Sequence, residues 1–280
     1  MSTPEHDWAA RPINLVRTGL RGGVPVVLVH AVGIDLTYWD RQIDALRGTH
    51  DVVAFDLPGH GRSPGTPVDW TLDNAAECLG HVIRGLGAGP AHLVGLSVGG
   101  MISQALALAQ PGLVRSLTLI DTAAAFAEPG RIAMRDRAET ARRGGMAAVL
   151  QTTIKRWFTA DTELHRPDLV DRVSKTLLAD DPLVHAAMWD MIAELDLVSH
   201  LHRIACPTLI LVGEFDPSSP PAAARVLQEN IGGAEMYIIA EASHMAPLEK
   251  PDVINAHLSR FLAAQNSVAG MSVSTTGLCG

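Results

Sequence analysis

No run of about eighteen apolar residues occurs in this chain, so no segment reads as a membrane-spanning helix. Cysteine is scarce. Cys78, Cys206 and Cys279 show no metal-ligand spacing and are too few for a disulfide framework, which predicts free thiols in a reducing cytoplasm. Twelve histidines are present, yet neither H-x-x-x-H nor H-E-x-x-H occurs, so no metal site is expected. His200 and His202, two apart at what reads as a helix end, suit a surface or capping role better than a ligand role. A basic run is also missing, and the formal net charge is −8, which argues against nucleic acid as a partner. The stretch Met1 to Arg11 carries Glu5, His6 and Asp7 and has no apolar core of the kind a secretory leader needs. These absences together predict a cytoplasmic protein without membrane, nucleic-acid or metal chemistry.

What is there suffices for one large α/β core. The 280 residues are 47% hydrophobic, with a mean hydropathy of +0.16. Near-continuous β-branched and apolar runs at Val24–His30, Val52–Asp56, Leu117–Asp121 and Thr208–Gly213 predict strands buried on both faces. A weaker strand is expected at Ile13–Thr18, another ends at Ser97, and Met236–Ala240 is the last. Helical patterns fall between them, at Trp39–Arg47, Leu72–Leu86, Met101–Gln110, Ala222–Glu229 and Pro251–Ala264. Strand alternating with helix predicts a mainly parallel sheet flanked by helices, with ligands bound beyond the C-terminal strand ends. His30, Asp56, Ser97 and Asp121 stand at such ends.

The alternation stops after Thr122. Residues 124–203 show only helical stretches: Arg131–Arg143, Met146–Phe158, Pro167–Leu178 and Leu183–Leu195. They read as a helical cap inserted between a first core part, 1–123, and a second, 204–264, with a flexible Ser/Gly/Thr-rich tail at 265–280. The large side chains of this block mostly fill its own core. Some are expected to face the sheet, and Trp157, Met188 and Trp189, with His30 and Met245 from the core, are the candidate pocket residues.

Gly95, Ser97 and Gly99 spell G-x-S-x-G between a buried strand and an Ala/Leu-rich helix. The alternative is a small-residue turn with an ordinary serine. In this strand–turn–helix setting the pattern is that of a nucleophile elbow, with Ser97 in a strained conformation at a helix N-terminus. A serine hydroxyl needs a base in hydrogen-bond reach, and the base an orienting carboxylate. His244, in the loop after the last strand, and Asp216, three residues past Gly213, supply both types. Asp121 is the rival acid, since it also follows a strand. Acyl transfer also needs an oxyanion hole. The backbone N–H groups of Val98 and Val32 are the candidate donors, with His30 able to hold the second loop. Arg62 reads as structural. Arg131, Arg135 and Lys155 are the cations that could meet a substrate carboxylate, though each also reads as a solvated helix-face charge.

The runs L-V-H-A-V-G-I-D-L-T-Y-W, A-F-D-L-P-G-H-G-R-S, G-L-S-V-G-G, P-T-L-I-L-V-G-E-F-D and S-H-M-A-P-L-E-K-P resemble the α/β-hydrolase superfamily across nearly the whole chain. That resemblance implies the α/β-hydrolase fold with Ser97 as nucleophile, His244 as base, Asp216 as acid, Val32 and Val98 as oxyanion donors, and no cofactor. Arg156-Trp157-Phe158-Thr159 and Asp196-Leu197 are similar in kind and position to 3-oxoadipate enol-lactonases. His30-Ala31, where many members have His-Gly, and the bulky Leu183–Met191 segment depart from them. The expected activity is hydrolysis of a small-molecule carboxylic ester or lactone. Cleavage of a carbon–carbon bond in a vinylogous diketone, cofactor-free perhydrolysis, and a small-molecule receptor built on the same fold are the alternatives. The oligomeric state is open, a homodimer included.

Overall fold

The computed structural model describes residues 11–271. Residues 1–10 and 272–280 lie outside it, and with them most of the stretch read for a leader, Cys279 and the end of the expected tail.

The β-branched runs lie where strands covered on both faces must lie. β2 (Pro25–Val29), β3 (Asp51–Phe55), β4 (Ala91–Leu96) and β6 (Thr208–Gly213) are buried along their whole length. β5 (Val114–Ile120) is nearly so. The edges are β1 (Leu15–Gly19) and β7 (Glu235–Ile239), whose residues are largely exposed or half-buried. Strand order is β1-β3-β2-β4-β5-β6-β7, with β1 antiparallel to β3 and every other pair parallel. The chain moves outward from β2 to β3, then crosses back to place β4 on the other side of β2. Such a reversal opens a crevice at the C-terminal strand ends. The loops after β2 and β4 border it, and they carry Val32 and Ser97.

Helices α1 (Asp40–Leu46), α2 (Leu72–Gly85) and α3 (Val98–Ala109) connect the first strands. Thr71 caps α2 by accepting the Asn74 N–H. α3 begins at Val98 rather than at the expected Met101. The Ser97 carbonyl accepts from the N–H groups of both Gly100 and Met101, so the helix starts immediately after the turn despite its two glycines.

Between β5 and β6 stand four helices: α4 (Glu128–Trp157), α5 (Ala160–His165), α6 (Pro167–Ala179) and α7 (Pro182–Ala193). α4 is broken at Gly145, with φ 66° and ψ −174°, so its two halves correspond to the expected 131–143 and 146–158 helices. α5 was not legible in the sequence. At six residues it is too short to show a period, and it forms on the Thr159 cap. The entry and exit of this block are tied together. Ala125 bridges Asp196, and the Leu197 N–H donates to the Ala124 carbonyl at 2.8 Å.

α8 (Pro221–Asn230) leads to β7, and the chain closes with α9 (Ala246–Glu249) and α10 (Pro251–Met271). The sequence predicts a loop where α9 lies and a flexible tail from residue 265. Helix α10 instead continues to Met271, past the expected end at Ala264. No helix among the described residues is long and apolar enough to cross a membrane.

Candidate active site

Ser97 sits between β4 and α3 with φ 52° and ψ −118°, a conformation that L-residues avoid and that costs about 1–3 kcal/mol. The flanking glycines make the turn possible. A Cβ on Gly99 would fall on the Val29 carbonyl oxygen, and one on Gly95 would strike the Gly99 and Gly100 backbone. Close approach here, rather than chain flexibility, demands glycine. The Ser97 N–H donates to the Ile120 carbonyl at 2.9 Å, and the Thr122 hydroxyl donates to the Ser97 carbonyl at 2.6 Å. The strained residue is thus clamped from β5.

The structure brings Ser97, His244 and Asp216 into one hydrogen-bonded chain. His244 Nε2 lies 3.0 Å from Ser97 Oγ, and its Nδ1 lies 2.8 Å from Asp216 Oδ2. A proton on Nδ1 donates to the carboxylate, which leaves Nε2 as acceptor for the serine hydroxyl. Asp216 Oδ1 accepts the N–H groups of Ser218 and Ser219 at 2.7 and 3.1 Å, which fixes the carboxylate plane. All three residues are buried, with Ser97 the least so at 6% exposure.

Asp121, the rival acid, does not face the histidine. Its Oδ1 accepts the Gly213 N–H at 2.7 Å and its Oδ2 the Ala246 N–H at 3.3 Å, so it ties the end of β6 to the start of α9. Complete burial, and then the nearby Asp216 carboxylate, push its pKa well above the usual range.

Glu249 escaped the sequence reading. Its Oε2 accepts the Ser243 N–H, next to His244, at 2.6 Å. Its Oε1 accepts from the Thr159 N–H and hydroxyl and from the Thr162 hydroxyl, at 2.7 to 2.8 Å. One carboxylate therefore joins the histidine loop to the cap of α5. The sequence offers only a glutamate in a loop before a proline, a common surface pattern.

Val98 is the first residue of α3, so its N–H has no intrahelical acceptor. Val32 lies buried in the loop after β2, the strand next to β4. His30 holds that loop. Its Nε2 accepts the Leu57 N–H at 2.9 Å, so Nδ1 carries the proton and donates to the Ala31 carbonyl at 2.8 Å. Burial first, and the neighbouring His60 second, lower its pKa to about 4, and the ring stays neutral near pH 7. Both ring nitrogens are thus committed to backbone, and the side chain is fully buried.

The other candidate pocket residues are all buried. The Trp157 carbonyl accepts the Met245 N–H at 3.0 Å, which joins the end of α4 to the residue after His244. Met188, on α7, is fully buried within the continuous core. Trp189 donates its indole N–H to His185 Nε2 at 2.9 Å, and His185 Nδ1 in turn donates to Asp180 at 3.0 Å. Asp180 also lies 3.6 Å from His60 in the loop after β3.

Arg131 donates to the Phe126 and Leu195 carbonyls, Arg135 pairs with Glu194 and Glu128, and Lys155 is exposed. Arg137 and Arg156 are the ones drawn inward, both stacked on Trp189. Arg62 uses its backbone N–H to hold Asp56, in keeping with a structural role. His200 and His202 are exposed on a short 3₁₀ turn. Among the described residues, no group of three or more His, Cys, Asp or Glu side chains is placed to hold a metal ion.

A family model described as the alpha/beta hydrolase fold matches residues 24–251. The 3-oxoadipate enol-lactonase 1 of Acinetobacter baylyi is 30% identical over 254 residues, covering 90% of this chain and 93% of that protein. Among solved structures, the enol-lactonase from Burkholderia xenovorans LB400 superposes with a TM-score of 0.85 at 28% identity, over 90% of this chain and 97% of that one. A thermophilic esterase from Thermogutta terrifontis, solved with malate bound, gives 0.85 at 30% identity, over 91% and 94%.

Proposed function

The chain belongs to the α/β-hydrolase fold family, and from that premise we propose that it hydrolyses a carboxylic ester or lactone through an acyl-enzyme on Ser97. The observation that carries this reading is the buried chain from Asp216 through His244 to Ser97, with hydrogen bonds of 2.8 and 3.0 Å. In the proposed reaction His244 Nε2 takes the hydroxyl proton as Ser97 Oγ attacks the carbonyl. The imidazolium then returns that proton to the leaving oxygen. Water, activated by the same nitrogen, releases the acid. Asp216 holds the tautomer and stabilises the imidazolium. The N–H groups of Val98 and Val32 receive the oxyanion, the first with the added field of the α3 N-terminus.

Helices α4–α7 serve in this reading as a cap over the strand-end crevice. A Cβ on Gly33, beside Val32, would strike Leu177 of α6 and press on His185 of α7, so the block rests on the loop that carries the second donor. The enol-lactonase relatives favour a lactone as substrate, and the proposed place of reaction is the cytoplasm. Hydrolysis of p-nitrophenyl acetate and of an enol-lactone by wild type and Ser97→Ala tests the reading. Turnover of both, lost in the variant, is expected. Turnover that survives the substitution would overturn it.

A further inference from the structure

Buried imidazoles gather around one carboxylate where the helical block meets the core. Asp180 lies in the turn between α6 and α7, its side chain 3% exposed. His185, on α7, donates from Nδ1 to Asp180 Oδ2 at 3.0 Å, and its Nε2 accepts the Trp189 indole N–H at 2.9 Å. Both nitrogens are filled, which leaves no place for a second proton. His30 is filled likewise, by the Ala31 carbonyl and the Leu57 N–H. His60 differs. Its Nδ1 lies 3.2 Å from the Pro58 carbonyl, which can only accept, so that nitrogen carries a hydrogen. Its Nε2 is buried without a hydrogen-bond partner and lies 3.6 Å from Asp180 Oδ2. A neutral ring would set its Nε2 lone pair against the carboxylate. A proton on Nε2 turns the same contact into a buried charge pair.

The other charged groups near His60 are engaged elsewhere. From the loops after β2 and β3, Asp35 accepts from Thr37, and Asp56 accepts the Leu36 and Arg62 N–H groups and the Asn14 amide. Arg62 itself is exposed. On α6, Arg172 reaches Asp40 and Lys175 is exposed. Asp181 caps α7 through the Leu183 and Val184 N–H groups, and Trp70 packs edge-on against the His60 ring. That leaves Asp180 as the counter-charge of His60 among the described residues. Burial pushes the Asp180 pKa up, but the charge of His60 and the His185 hydrogen bond hold it below the usual carboxylate range.

The same turn presses on the loop of the second oxyanion donor. Gly33 follows Val32, and a Cβ there would strike Leu177, three residues before Asp180. A Cβ on Gly59, next to His60, would strike Val184 of α7. The α6–α7 turn therefore sits directly on both core loops, and the Asp180–His60 contact fastens it there.

We propose that His60 and Asp180 are positioning residues: with a proton on His60 Nε2, the pair seats the α6–α7 turn on the loop of Val32 and so places its oxyanion donor. This rests on the hydrolase reading for the reaction that the donor serves. The coupling between His60 and the Val32 loop does not. The contact is present while His60 is protonated and is lost as pH rises through its titration, because Asp180 stays ionised throughout.

The pH profile of p-nitrophenyl acetate hydrolysis, from about pH 5.5 to 9, tests the proposal. In wild type kcat should fall at least about fivefold on the alkaline side, with a smaller change in KM, as the donor shifts. Asp180→Asn sets an amide N–H against the neutral His60 Nε2 and keeps a carbonyl oxygen for His185. His60→Gln holds a donor toward Asp180 at every pH. Each should flatten the alkaline side of the profile. A wild type without the alkaline fall overturns the proposal. So does a fall that survives in either variant, since a merely structural pair would lower activity evenly across pH. Nitrogen-15 NMR of Ser97→Ala reads the coupling without catalysis. The His60 ring nitrogens and the Val32 amide should follow one titration curve, and adding Asp180→Asn should stop the Val32 amide from following it. A Val32 amide indifferent to the His60 titration contradicts the proposal. Should turnover prove independent of Ser97, so that the hydrolase reading fails, this titration still decides the coupling.

Discussion

Two buried carboxylates stand at neighbouring strand ends, and only one of them meets the histidine. Sequence position does not separate Asp121 from Asp216, because both follow a strand. Hydrogen bonding does, since Asp121 accepts two backbone N–H groups and Asp216 accepts His244. Asp121, pushed well up by burial and by Asp216, holds its proton readily, so an amide is a close replacement. Asp121→Asn should therefore keep kcat for an activated ester within about threefold, losing only its longer backbone bond. Asp216→Asn should lower kcat about a thousandfold or more, because an amide cannot hold the same imidazole tautomer as well. Steady-state kinetics on p-nitrophenyl acetate checks both, and equal effects would contradict the assignment of the acid. Gly99 is as strictly demanded as any side chain. Gly99→Ala drives a methyl into the Val29 carbonyl, and urea unfolding should show a loss of at least about 2 kcal/mol. Ser97, Asp216 and His244 were legible because each follows a strand in an order that fits one mechanism. Arg137, Arg156 and Glu249 were not, because a charged residue on a helix or before a proline looks the same in sequence whether its partner is water or a buried loop.

At the scale of elements, the loops after β2 and β3 are pinned to each other by one neutral imidazole. The folded-state pKa of His30, about 4, lies below the ordinary value of 6.5. Between those values the unfolded chain binds the proton and the folded one does not, so this group's contribution to stability falls as pH drops through the window. The loss approaches about 3 kcal/mol once pH is below both values. Urea unfolding from pH 7 to 4 should show a steeper decline in wild type than in His30→Gln, and parallel declines would refute the role. Glu249 gathers four donors from the histidine loop and the start of α5. Glu249→Ala should cost about 1–3 kcal/mol by leaving partly buried donors unfilled, and should lower kcat as His244 loses its support. Among the elements, the long buried strands were readable from apolar runs and the two halves of α4 from helical patterning. The start of α3 was displaced by Ser97's own carbonyl, and α5 and α9 are too short to carry a period.

At the scale of the whole molecule, the strand order places everything that follows. Because β2 lies between β3 and β4, the loop of Val32 and the turn of Ser97 share one crevice, and the helices between β5 and β6 rest on its rim. Alternating strands and helices implied the mainly parallel sheet flanked by helices, while the strand order and the side-chain packing between elements far apart in sequence were not legible. The central claim is that Ser97 is the residue that becomes acylated. It is tested most directly by treating the folded protein with a fluorophosphonate, which traps an activated serine, and mapping the adduct by peptide mass spectrometry. One equivalent of label on Ser97, absent in Ser97→Ala and slowed in Asp216→Asn, is the predicted result. An unlabelled Ser97, or an adduct on another residue, would contradict it.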